Sequence, residues 1–177
     1  MRSAVLAIVL SGLVMAHAAA AQFSIDAVKA AYLFRFASYV QWPESARTDG
    51  PFVIGVVGAE DVAVHLESLL TGMTVQGRPA RVRRVINAED LAGIHILYVG
   101  AKMFRASRPL RARAIEKPIL IVTESSYGMD GGGVINFMEV DRNLRFEISL
   151  DAAERSGLKI DSALLSVAAR VDSRRKN

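Results

Sequence analysis

Residues 134–150 read VINFMEVDRNLRFEISL. Two runs rich in apolar and β-branched residues, Val134 to Val140 and Leu144 to Leu150, flank Asp141, Arg142 and Asn143, residue types that suit a turn. In the second run Leu144, Phe146, Ile148 and Leu150 share one side, and Arg145, Glu147 and Ser149 share the other. This period of two predicts a strand with one buried and one solvated face. The two runs therefore form an antiparallel hairpin. Gly131, Gly132 and Gly133 lead into it as a flexible turn.

Upstream the pattern changes from hairpin to alternating helix and strand. Phe52 to Val57, Ile94 to Val99 and Ile119 to Val122 are short, nearly unbroken apolar runs, as expected of strands covered on both faces. A helix from about Glu60 to Leu70 follows the first of them. Gly72, Gly77 and Pro79 break up the next segment, and Ala80 to Ile86 forms a strand near a sheet edge, carrying Arg81, Arg83 and Arg84. Asn87 to Leu91 makes a turn of helix. Lys102 to Ile115 carries four arginines, with Pro109 interrupting its helix. Ser24 caps a helix in which Ile25, Val28, Tyr32, Phe36 and Tyr39 or Val40 recur at helical spacing, while Lys29, Arg35 and Ser38 lie on other faces. Pro43 stops that helix near Gln41, and Glu44 to Pro51 is a loop.

Downstream of the hairpin, Asp151 and Glu154 have the spacing of a capping box for a helix that ends before Gly157. Asp161 or Ser162 caps a last helix bearing Leu164, Leu165 and Ala168, which frays into the polar residues 172–177. The expected fold is one compact α/β domain, a mixed β-sheet flanked by helices, with a C-terminal β-hairpin and terminal helices. At the other end, Arg2, the apolar run Ala4 to Met15 and the small residues Ala18 to Ala21 have the form of a secretory signal cleaved before Gln22. Residues 1–21 are thus assigned to the signal and 22–177 to the exported domain.

Composition narrows the chemistry. The chain of 177 residues has no Cys, which excludes a Cys nucleophile, a thiolate zinc site and any disulfide. Its 22 Lys and Arg against 18 Asp and Glu leave a surplus of only four charges, scattered along the sequence. No aromatic residues interleave with the arginines, so nucleic acid is not an expected partner. His65 and His95 lack metal-ligand spacing and suit surface or hydrogen-bonded core positions. Gly131 to Gly133 precede a strand rather than a helix, unlike a phosphate-binding loop, and Ser125 and Ser126 lie in no nucleophile elbow. The acidic residues are spread over loops and helix starts. No catalytic residue, cofactor or metal is expected. Trp42, the only Trp, either covers the core or presents its ring in a contact patch.

Several of these segments together resemble the YfiR family of exported proteins. The matching pieces are Ala30 to Phe36 (AAYLFRF), Tyr39 to Pro43 (YVQWP), the strand Phe52 to Gly58, Gly131 to Phe137 (GGGVINF), Arg145 to Ile148 (RFEI), and Leu164, Leu165 and Ala168. The resemblance implies a non-catalytic periplasmic regulator. Such a protein binds the periplasmic sensor domain of an inner-membrane diguanylate cyclase and represses it, lowering cyclic di-GMP and biofilm formation. An outer-membrane lipoprotein releases the repressor, and a homodimer is expected. Sensor histidine kinases are an alternative class of partner. The absence of Cys rules out the disulfide-based redox sensing attributed to some members, and Ser149 stands where the family pattern favours Asn. Tyr39 and Trp42, as aromatic anchors at a helix end, and Arg145 and Glu147, as charges on the open face of the last strand, are the expected partner-binding residues. The competing reading is a periplasmic small-molecule-binding module or an unrecognised hydrolase, with a cleft near Asn136 and the Gly131 loop, and a strictly structural envelope protein comes third.

Overall fold

The computed structural model describes residues 24–46, 49–141 and 143–173. The expected signal at residues 1–21 and the basic end at 174–177 lie outside the described residues. Helix α1 (Ile25–Tyr39) opens the domain, with the Ser24 side chain accepting from the Ala27 amide. A short strand β1 (Val40–Gln41) follows, then β2 (Phe52–Val57), α2 (Glu60–Leu70), β3 (Thr74–Val75), β4 (Arg78–Arg84), β5 (Ile94–Val99), α3 (Arg108–Ile115) and β6 (Leu120–Thr123). The hairpin is β7 (Ile135–Val140) and β8 (Asn143–Ser149). After it come α4 (Leu150–Arg155), β9 (Lys159–Ile160), α5 (Ser162–Val167) and β10 (Arg170–Asp172).

Eight strands form one mixed sheet in the order β10-β8-β7-β6-β5-β2-β4-β3, while β1 and β9 pair separately. The five parallel strands β4-β2-β5-β6-β7 follow the doubly wound order in which chain direction across the sheet reverses at β2. The expected fold class therefore holds. β2, β5 and β6 are buried at every residue, which is why their sequences read as continuous apolar runs. One face of the sheet packs beneath α1 and α2, where Phe36 sits between Phe137 and Phe146 at 5.8 and 5.3 Å between ring centroids. The other face carries α3, with Leu110 and Ala114 against Val57, Leu97 and Ile121.

Several local expectations change. The buried stripe of α1 is Lys29, Ala30, Leu33, Phe36 and Ala37, whereas Ile25 is exposed; the helix contacts α2 as well as the sheet, and that rotates the covered face. Pro109 stands in the first turn of α3, where a missing N–H costs no helical bond, so it begins the helix and does not interrupt it. Gln76 and Gly77, both at positive φ, close a two-residue hairpin between β3 and β4. Ser149, not Asp151, caps α4 by accepting from the Ala152 amide. The segment after α5 does not fray at once: Ala169 donates to the Phe146 carbonyl and β10 pairs parallel with β8.

Candidate functional site

The two expected contact residues on β8 part company. Arg145 is exposed, as its alternation predicts, but Glu147 is only 5% exposed, so the solvated face assigned to it in sequence is overturned. Residues 124–133, between β6 and β7, fold over this side of the sheet. An added Cβ at Gly128 would lie 2.0 Å from Asn136 Oδ1, so the loop settles there only as glycine.

Beneath the loop runs a polar line across four neighbouring strands. Thr123 on β6 pairs with Asn136 on β7, Asn136 with Glu147 on β8, and Glu147 with Arg170 on β10. The Thr123 hydroxyl donates to Asn136 Oδ1 at 2.9 Å, and the Ser125 amide donates to the same oxygen at 3.1 Å. Asn136 Nδ2 donates to Glu147 Oε1 at 3.0 Å. The other carboxylate oxygen, Oε2, is buried without a hydrogen bond; the Arg170 guanidinium reaches it at 2.5 Å as an ion pair. Removing the partner of a buried charge is costly, so β10 and the charge on Glu147 depend on each other. Sequence reading missed this line because Asn136 and Glu147 are ordinary polar members of an alternating pattern. The 124–133 loop lies against Asn136 and β10 lies beside Glu147, and neither neighbour is contained in the pattern.

Tyr39 and Trp42 lie elsewhere. Trp42 is 8% exposed, its indole N–H donating to the His95 carbonyl at 3.3 Å and its ring edge-on to Phe52. It covers the core at the first residues of β2 and β5, with β6 and β7 between it and β8. Tyr39 is half-buried at the end of α1 and its carbonyl accepts from the Asp161 amide. His95 is a buried core residue whose ring nitrogens lie 3.2 Å from the Val53 amide and 2.8 Å from Arg78 Nη2. Burial first, and the Arg78 guanidinium second, lower its pKa to about 4. His65 is half-buried, 3.1 Å from the Ser24 hydroxyl.

A crevice of about 580 Å³ opens at the carboxyl ends of β2, β5 and β6. This is the switch point of the sheet, the place where doubly wound folds hold ligands. Lys29, buried in the wall, donates to Asp26 Oδ1 at 3.0 Å and to Glu124 Oε1 at 2.9 Å, and the Tyr98 hydroxyl donates to Glu124 Oε2 at 2.6 Å. Burial alone would push the Lys29 pKa down; the two carboxylates more than offset it and hold the ammonium above its ordinary range. Burial and then the Glu124 carboxylate push the Tyr98 phenol well up. Lys29 thus stays charged and Tyr98 neutral, an arrangement suited to fixing geometry rather than moving protons.

The cleft expected near Asn136 and the Gly131 loop is filled. Asn136 is buried, and Arg111 donates to the Gly131 carbonyl at 3.3 Å while lying over the Phe104 ring at 3.8 Å. Among the described residues no group of three or more His, Cys, Asp or Glu is placed to hold a metal ion, and no helix is long and apolar enough to cross a membrane.

A sequence-family model described as YfiR/HmsC-like matches residues 26–169. Among solved structures, the chain is similar to a conserved domain protein from Vibrio cholerae O1 biovar El Tor str. N16961, at 16% identity and a TM-score of 0.48. The match covers 68% of this chain and 54% of the other, so the chain spans about half the length of that protein.

Proposed function

The chain belongs to the YfiR/HmsC-like family, and from that membership we propose that it is a periplasmic repressor acting on the sensor domain of an inner-membrane diguanylate cyclase. The family acts as periplasmic regulators of diguanylate cyclase signalling rather than as catalysts. The match over residues 26–169, nearly the whole described domain, is the observation that carries the reading.

A binder represses an enzyme only if it prefers the inactive conformation of that enzyme. The proposed partner-binding residues are exposed Arg145 with the Glu147–Arg170 pair at the sheet edge and, apart from them, half-buried Tyr39 at the end of α1, with Trp42 buried in the core. Release by an outer-membrane lipoprotein fits a regulator without thiols, and a homodimer is its expected assembled form. A second reading, a small-molecule-binding module, is favoured by the crevice around Lys29 and Glu124. A thermal-shift screen against envelope metabolites addresses it.

Deletion of the gene is expected to raise cellular cyclic di-GMP, and expression of the exported chain to restore the lower level. An unchanged level after deletion would sink the repressor reading.

A further inference from the structure

The outer edge of β8 is only partly covered. Strand β8 has seven residues, Asn143–Ser149, and β10 pairs with three of them, Glu147, Ile148 and Ser149. Among the described residues, Asn143, Leu144 and Arg145 have no strand on that side. An uncovered strand edge presents unpaired N–H and C=O groups, which are a template for another extended segment.

The covering strand is slight. Arg170 and Val171 are exposed and Asp172 is half-buried, so β10 contributes little to the apolar core. Arg170 ties it to β8 through an ion pair between its guanidinium, 64% exposed, and a carboxylate that is 7% exposed. Glu147 Oε2 still lacks a hydrogen bond in that arrangement. A buried carboxylate whose paired cation is 64% exposed favours any occupant that brings a guanidinium or ammonium to it with better-aligned N–H groups.

We propose that the outer edge of β8 is a strand-addition site. In it β10 is the resident occupant, and an extended segment of the regulatory partner, carrying Arg or Lys opposite Glu147, is the alternative one. The inference rests on the partner-binding reading above and deepens it. The chain itself shows the chemistry of the occupant, since β10 is an arginine-bearing segment seated on this edge. A longer segment gains the outward-facing backbone bonds of Leu144, since Asn143 and Arg145 turn theirs toward β7, and an acidic residue in it can pair with exposed Arg145. Main-chain bonding supplies the attraction and Glu147 sets the register, because a neutral or acidic residue opposite it would leave the buried charge without a cation.

The test uses the full chain and a labelled, blocked hexapeptide of residues 168–173, AARVDS, with a second peptide in which its Arg is Glu. Fluorescence polarisation is read on the native chain and on Arg170→Glu, whose resident strand is repelled by Glu147. The Arg peptide is expected to bind the variant at least tenfold more tightly than the native chain, and the Glu peptide to bind neither. Adding Glu147→Gln to Arg170→Glu is expected to erase the preference between the peptides. If Arg170→Glu does not fold, Arg170→Ala replaces it, and hydrogen exchange of the native chain gives a further reading. The β10 amides should then exchange at least a hundredfold faster than those of β7. Absence of peptide binding to the folded variant, equal binding of the two peptides, or β10 protection equal to that of β7 overturns the proposal. These assays contain no cyclase, so peptide binding with unchanged cyclic di-GMP on deletion would remove the repressor reading alone. Altered cyclic di-GMP without peptide binding would remove the strand-addition site alone.

Discussion

At the scale of single residues, a close constraint on the polar line is the contact of Gly128 with Asn136. A Cβ at Gly128 would fall 2.0 Å from Asn136 Oδ1 and 2.3 Å from Thr123 Oγ1, so Gly128→Ala must move the loop or break the polar line. The expected loss is about 2–3 kcal/mol, the range for overpacking combined with a broken buried hydrogen bond. Urea unfolding measures it, and a loss below about 0.5 kcal/mol would contradict the contact. His95 gives a pH signature. Its folded pKa, about 4, lies below the unfolded value near 6.5, so between those limits the unfolded chain binds more protons and stability falls as pH falls. This residue alone is expected to make the protein roughly 2–3 kcal/mol less stable at pH 4.5 than at pH 7, a difference that His95→Asn should largely remove. Equal pH dependence in the two proteins would refute it. Sequence alone placed His95 inside a buried strand and left surface and hydrogen-bonded core positions open; the structure shows the latter. The sequence did not suggest burial for Lys29 or Glu147, whose partners Glu124 and Arg170 are distant in sequence.

At the scale of elements, the strands that bury both faces and the hairpin were legible because their periods are strong and local. β10 was not: Arg170, Val171 and Asp172 contain one apolar residue, and only β8 beside them makes an extended conformation favourable. The start of α4 was misread for a related reason. Asp151 and Glu154 have capping-box spacing, yet β8 delivers the chain so that Ser149 reaches the Ala152 amide first. Ser149→Ala is therefore expected to cost about 1 kcal/mol, whereas Ser149→Asn, also a good N-cap and the residue that the family pattern favours, should stay within about 0.5 kcal/mol of the native chain. Thermal or urea unfolding of the pair decides this. Equal losses for Ala and Asn would show that the hydroxyl does not cap the helix.

At the scale of the whole molecule, alternating helix and strand followed by a hairpin indicated a mixed sheet, but not the order of its strands. The reversal at β2 depends on which side of that strand β4 and β5 settle, and no residue pattern records it. The reversal creates the crevice at the carboxyl ends of β2, β5 and β6, on the opposite end of those strands from Trp42. Lys29 on α1 and Glu124 after β6 meet there only once the sheet is assembled. The glycine loop has the reverse history: a turn was legible, but its place against Thr123 and Asn136 emerges only with β6 and β7 side by side. The molecule is thus a parallel core that β8 and β10 extend to a partly open edge, the edge proposed above as the partner site. By the proposal above, a partner held there is a cyclase kept inactive. That claim is tested most directly by adding purified protein, residues 22–177, to spheroplasts of the deletion strain and following cyclic di-GMP synthesis. Synthesis should fall saturably with added protein; a rate that stays constant across the titration would contradict the account.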